Sequence, residues 1–155
     1  MQHCMLPDCQ DDKLIMKKIS AIILILVCFF LISCKKGNIN NQSVIATWEL
    51  YKVSGQTTIN YPSGNGTKWK LTESTYEFYV NNILEKTGTY SLVNDPTVSQ
   101  SVCLVFPANQ FKHRIIFDNR SDSIKVFIDV AGDTMSMVSG CFANDGGSLQ
   151  RYTRK

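Results

Sequence analysis

From Val44 onward, apolar and polar residues alternate in short runs. Val44–Leu50 sets Ala46, Trp48 and Leu50 on one face. Thr67–Thr72 sets Trp69 and Leu71 against Lys68 and Lys70, and Thr75–Val80 sets Tyr76, Phe78 and Val80 against Glu77 and Tyr79. Leu84–Leu92 brings Gly88, Tyr90 and Leu92 to one side. Ser101–Phe106, His113–Phe117, Ser123–Asp129, Thr134–Val138 and Leu149–Arg154 keep the same period of two. A period of two predicts half-buried strands. Asn81-Asn82 suits a two-residue hairpin turn, because Asn tolerates positive φ. Asp118–Ser121 and Ala131–Asp133 mark further tight turns. No segment past Val44 holds a 3.6-residue apolar period for three turns. Eight or nine short strands with tight turns predict an all-β domain, an antiparallel up-and-down meander. An open sheet would leave unpaired edges, so closure into a small barrel of about eight strands is expected over a sandwich. The one long connection, Ser54–Gly66, is either a lid over the barrel mouth or a plain loop.

The pattern before Val44 is of another kind. Lys17 and Lys18 open Met16–Cys34, an apolar run from Ile19 to Ile32 follows, and Ser33 precedes Cys34. A basic start, a short apolar middle and a small residue before a cut describe a secretory signal peptide. The run of 14 residues, Ile19–Ile32, is short of the about 20 that a transmembrane helix needs. Leu31-Ile32-Ser33-Cys34 resembles the lipobox of bacterial lipoproteins. That resemblance implies cleavage before Cys34, a diacylglycerol on its thiol and acylation of the new amine. One acyl chain holds only marginally, at ~0.8 kcal/mol per buried CH₂, and two or three hold stably. The expected membrane partner is therefore reached through Cys34. Lys35 stands where family members retained at the inner membrane tend to carry aspartate, so the outer membrane is expected, with the domain periplasmic or surface-exposed. Lys35 and Lys36 would also touch anionic headgroups, a weak attraction for two charges.

Residues 1–15 carry Asp8, Asp11 and Asp12 where a signal should begin basic. They are read as a mis-called extension ahead of a true start at Met16, and Cys4, Cys9 and His3 carry no weight with them. The expected organisation is residues 1–15 extension, 16–33 signal peptide, 34–43 lipidated tether rich in Asn, and 44–155 barrel domain. Removing 33 of the 155 residues leaves 122, one domain. Such a length buries roughly two-thirds of its unfolded surface, enough for a core without metals.

The removed part holds three lysines and three acids, so 13 Lys+Arg and 10 Asp+Glu remain and the net charge stays +3. The basic residues are scattered, which describes a solvated surface and excludes a nucleic-acid footprint. Beyond Cys34, Cys103 and Cys141 form an even pair in an oxidising compartment. They are expected to form a disulfide, the alternative being two buried thiols.

Ala46-Thr47-Trp48 on an early strand resembles the Gly-x-Trp strand of lipocalins. Tyr76-Glu77-Phe78, Gly88-Thr89-Tyr90, Gly132–Met137 and the ending Tyr152–Lys155 follow in an order similar to the lipocalin-like domains of small bacterial lipoproteins. Ala46 departs from the family, which has glycine there. The resemblance implies that Trp48 plugs a closed barrel end. It also implies that Arg154 or Arg151, on the last strand, lies over the Trp48 ring, a contact worth ~0.5–2 kcal/mol.

Candidate chemistry is sparse. His113 is the one histidine past Cys34 and has no serine, cysteine or acid pattern to make a triad. One histidine and two pairing cysteines do not supply the three or four ligands of a zinc site. Glu49, Glu77 and Glu85 alternate with the apolar face and read as solvated. Gly64-Asn65-Gly66 and Asp145-Gly146-Gly147 are turn glycines, since neither opens a helix after a strand. No catalytic residue, metal or cofactor is expected. Trp48, Trp69, Tyr76, Phe78, Tyr90, Phe106, Phe117, Met135, Met137 and Tyr152 are expected to face the barrel interior. There they either line a pocket for a small apolar or amphipathic ligand or simply fill the barrel. Filling would leave a structural lipoprotein that docks an envelope partner through its outer surface.

Overall fold

A computed structural model describes residues 41–121 and 124–155. Cys34, the signal peptide, the extension and most of the tether lie outside the described residues. The described chain opens with one helical turn, α1 (Asn41–Val44), where the sequence pattern placed tether and strand. Nine strands follow: β1 (Ala46–Ser54), β2 (Thr58–Asn60), β3 (Lys68–Leu71), β4 (Thr75–Val80), β5 (Ile83–Asn94), β6 (His113–Phe117), β7 (Val126–Ala131), β8 (Thr134–Ser139) and β9 (Ser148–Arg154). A short helix, α2 (Val98–Val102), lies between β5 and β6, and a 3₁₀ turn at Phe142–Asn144 precedes β9.

Each strand pairs antiparallel with the next along the order β1-β3-β4-β5-β6-β7-β8-β9, and β9 pairs back with β1. This is a closed eight-stranded meander with β2 as an extra piece. The expected two-residue hairpin turn is present, with Asn81 and Asn82 at φ 52 and 64, and the expected turn at Asp118–Ser121 opens with Asp118 and Asn119 at φ 52 and 56. Two positive φ values in succession give a turn whose twist matches the strands it joins.

β2 was hidden in the long connection. It pairs with β1 at Lys52, Val53 and Ser54, on the same edge of β1 that pairs with β3 at Ala46–Glu49. β2 and β3 are thus one barrel strand, interrupted where Pro62–Gly66 is pushed out of the ladder. Tyr61 N–H still donates to Tyr51 O, and Leu50 N–H to Thr67 O, closing the ladder on either side. The connection is therefore a hairpin and an extruded loop rather than a lid.

The loop is held by a residue read as solvated. Glu49 points away from the interior, yet is only 5% exposed. Its carboxylate accepts from Gly64 N–H and Gly66 N–H and pairs with Lys155 Nζ at 2.6 Å. Alternation gave the correct face for Glu49; the loop that folds over that face is what buries it.

Ser101–Phe106 is also corrected. Val98 and Val102 are four apart and form the buried face of α2, which ends at Cys103 in the left-handed conformation. Five residues are too few for a helix to stand alone, and tertiary contacts supply its support. Val98, Val102 and Phe111 pack with Phe127 and Val138 on the outer face of β7 and β8. The described residues thus form two apolar clusters, one inside the barrel and one between α2 and the outer wall. Phe106, expected inside, packs against the outer cluster in edge contact with Phe111.

Candidate functional site

The remaining nine expected interior residues face inward. Trp48, Tyr76, Tyr90, Met135, Met137 and Tyr152 are buried in the inner cluster, with Trp69 and Phe117 packed against it and Phe78 against Trp69. Alternation along each strand is sufficient to place them.

Around Trp48 the interior is filled. The Trp48 ring is fully buried, and its Nε1–H donates to Val44 O at 2.8 Å, tying α1 to the barrel. The Arg154 guanidinium lies 4.6 Å from the Trp48 ring centroid and donates to Ser43 O. Of the two arginines considered, Arg154 occupies this place. Arg151, an odd number of positions away on β9, projects to the other face, since Tyr152 between them points inward.

Around Trp69 the packing gives way to a cleft of 560 Å³, lined by Trp69, Tyr76, Glu85, Lys86, Thr87, Phe117, Asp118 and Arg120. Its floor is aromatic. Trp69 stacks on Phe117 with centroids 5.0 Å apart and planes at 18°, while Tyr76 meets Phe117 edge-on at 5.0 Å. Trp69 Nε1–H donates to Tyr152 Oη at 3.2 Å, which fixes the indole from beneath.

The cleft exists because β5 is longer than β6. β5 pairs with β4 from Ile83 to Thr89, but with β6 only from Tyr90 to Asn94. Past Phe117 the chain turns away at Asp118-Asn119 and leaves the β5 overhang bordered by the turn. Asp118 pins that turn. Its carboxylate accepts from Tyr76 Oη–H at 2.8 Å and from Thr89 N–H at 3.0 Å, and its own N–H donates to Thr89 O. Gly88 makes room for it: a Cβ there would stand 2.0 Å from Asp118 Oδ1. The Gly88-Thr89-Tyr90 segment quoted for the family resemblance therefore has a physical task here, and sequence reading missed Asp118 because its partners lie 29 and 42 positions away.

Proton affinities follow these contacts. The bond from Tyr76, then that from Thr89, hold the Asp118 carboxyl below its usual range. Burial, then the bond to Asp118, push the Tyr76 phenol up. Burial drives Tyr152 up to about 12 against the opposing bond from Trp69. The cleft therefore presents a neutral Tyr76 phenol and an ionised Asp118 carboxylate at neutral pH, and Lys86 and Arg120 also line it. Its chemistry suits a planar or apolar body with polar groups directed to the rim.

His113 does not line this cleft, and its Nδ1 is buried without a hydrogen-bond partner among the described residues. Among the described residues, no three His, Cys, Asp or Glu side chains gather to hold a metal ion. Cys103 and Cys141 are bonded, with Cα atoms 5.0 Å apart, and they tie the end of α2 to the segment after β8. The start of the α2 segment is held by Lys125 Nζ, 2.9 Å from Asp95 Oδ2 and 2.9 Å from Thr97 Oγ1. Burial would raise the Asp95 carboxyl, but Thr97 and Lys125 outweigh it and bring it from 3.8 to about 2.

The chain matches no protein-family model, no curated protein and no solved structure.

Proposed function

We propose that this protein is a lipid-anchored envelope lipoprotein whose lipocalin-like barrel holds a small apolar or amphipathic molecule in the cleft beside Gly88. The observation that carries the ligand reading is the cleft itself. Its 560 Å³ falls in the range of roughly 300–1,000 Å³ common to small-molecule sites. An aromatic floor and a few convergent polar groups complete that description. The anchor rests on the lipobox resemblance and Cys34, and the expected site is the outer membrane.

A gentle native mass measurement on the full chain, taken from its own envelope fraction, tests the ligand. A reproducible extra mass of small-molecule size, lost on denaturation, is expected. A bare acylated polypeptide, unchanged by incubation with envelope extracts, would refute it. For the anchor, Cys34→Ala should lose fatty-acid label and leave the membrane fraction, whereas retained label removes the lipoprotein reading.

A second reading has its own observation. The interior around Trp48 is filled, while Val105 is 87% and Ile83 65% exposed. A structural lipoprotein that docks an envelope protein through its outer wall would use those surfaces, and it becomes the preferred reading if no ligand is found.

A further inference from the structure

The geometry points to an extended peptide as the ligand of the cleft, an inference that rests on the cleft being the binding site. The argument lies in the backbone of β5. Tyr90 N–H donates to Ser74 O, on the β4 side. In an antiparallel ladder successive residues turn their amides to opposite edges, so Thr89 faces the other way. Its N–H and C=O are both taken by Asp118. Thr87 is next in that outward row and lines the cleft. Among the described residues nothing accepts from its N–H or donates to its C=O.

The place alongside Thr87 is where β6 would run had the chain not turned at Asp118. A peptide residue there would donate its N–H to Thr87 C=O and accept from Thr87 N–H. Because side chains alternate along a strand, the neighbouring peptide residue turns inward, toward Phe117 and Trp69. Strand addition supplies the backbone bonds and the aromatic floor supplies a side-chain pocket. A fatty chain would use the floor and leave the Thr87 amide to water; a peptide uses both.

The test is calorimetric titration of the full chain with acetyl-Ala-Phe-Ala-amide, with the same peptide N-methylated at each amide in turn, and with anilinonaphthalene sulfonate as an apolar probe without a peptide backbone. The unmodified peptide should bind, and one N-methylation should weaken it about tenfold, the cost of one bond and a blocked edge. Thr87→Pro, which removes the edge N–H, should weaken the peptide by a larger factor than it weakens the apolar probe. The N-methyl series needs no variant, so it decides the matter even if Thr87→Pro unfolds. Binding of the probe alone, or of all N-methylated peptides equally, overturns the peptide inference and leaves the cleft as a ligand site. Binding of neither removes both. A six-residue peptide with the same centre separates the sources: equal affinity assigns the site to short free peptides, and tighter binding to a segment of a larger chain.

Discussion

Two side chains decide the local character of this barrel. Trp48 is held by Val44 O at its N–H and by the Arg154 guanidinium on its face. A double-mutant cycle with Trp48→Leu and Arg154→Ala should give a coupling of about 0.5–2 kcal/mol; additive losses would show that the guanidinium acts elsewhere. Glu49 is the second. The bond from Lys155, then those from Gly64 and Gly66, outweigh burial and lower its carboxyl below the usual 4.5. Its contribution is full above the unfolded value and is lost as pH falls through the folded one. Glu49→Gln should therefore cost about 1–3 kcal/mol in urea unfolding at pH 7. The gap to the parent should narrow as the solution is acidified toward pH 3, and a gap that widens would contradict the assignment. Neither the burial of Glu49 nor the task of Asp118 was legible in the sequence. Both depend on a loop or turn that arrives from elsewhere in the chain, and the period of two reports only the face a residue takes, not what covers that face.

At the scale of elements, legibility followed burial. β3, β4, β6, β8 and β9 each place one face inside, so their alternation is sharp. β2 has all three residues exposed, leaving no pattern to read. In 101–106 the apolar residues Val102, Leu104 and Phe106 alternate like a strand, whereas the contact that wins is the four-residue spacing of Val98 and Val102 against Phe127 and Val138. The segment is clamped at one end by Lys125 on Asp95 and at the other by the disulfide. A bridge between positions 38 apart should stabilise by roughly 3–4 kcal/mol through the unfolded chain. Cys141→Ala should lower the unfolding midpoint by the corresponding amount while far-UV circular dichroism keeps its strand signal, because the barrel closes without the bridge. Loss of the strand signal would mean that the outer cluster is needed for closure.

The whole molecule is built around buried phenols, and alkaline solution should expose that. Tyr152 is pushed from 10 up to about 12, and burial raises Tyr76 and Tyr90 in the same direction. The unfolded chain ionises first, so it gains stability relative to the barrel as pH rises past 10. Tyr152 alone should remove about 2–3 kcal/mol between pH 10 and 12. Urea unfolding at pH 8 and pH 11.5, with Tyr152→Phe as control, checks this: the variant should show a smaller loss, and an equal loss would assign the effect to other groups. Closure has a further consequence, in time rather than energy. β1 finds its partner β9 only after the intervening strands have been made, and such distant pairing is slow to form. A barrel whose first strand pairs with its ninth cannot shut while that last strand is still being made.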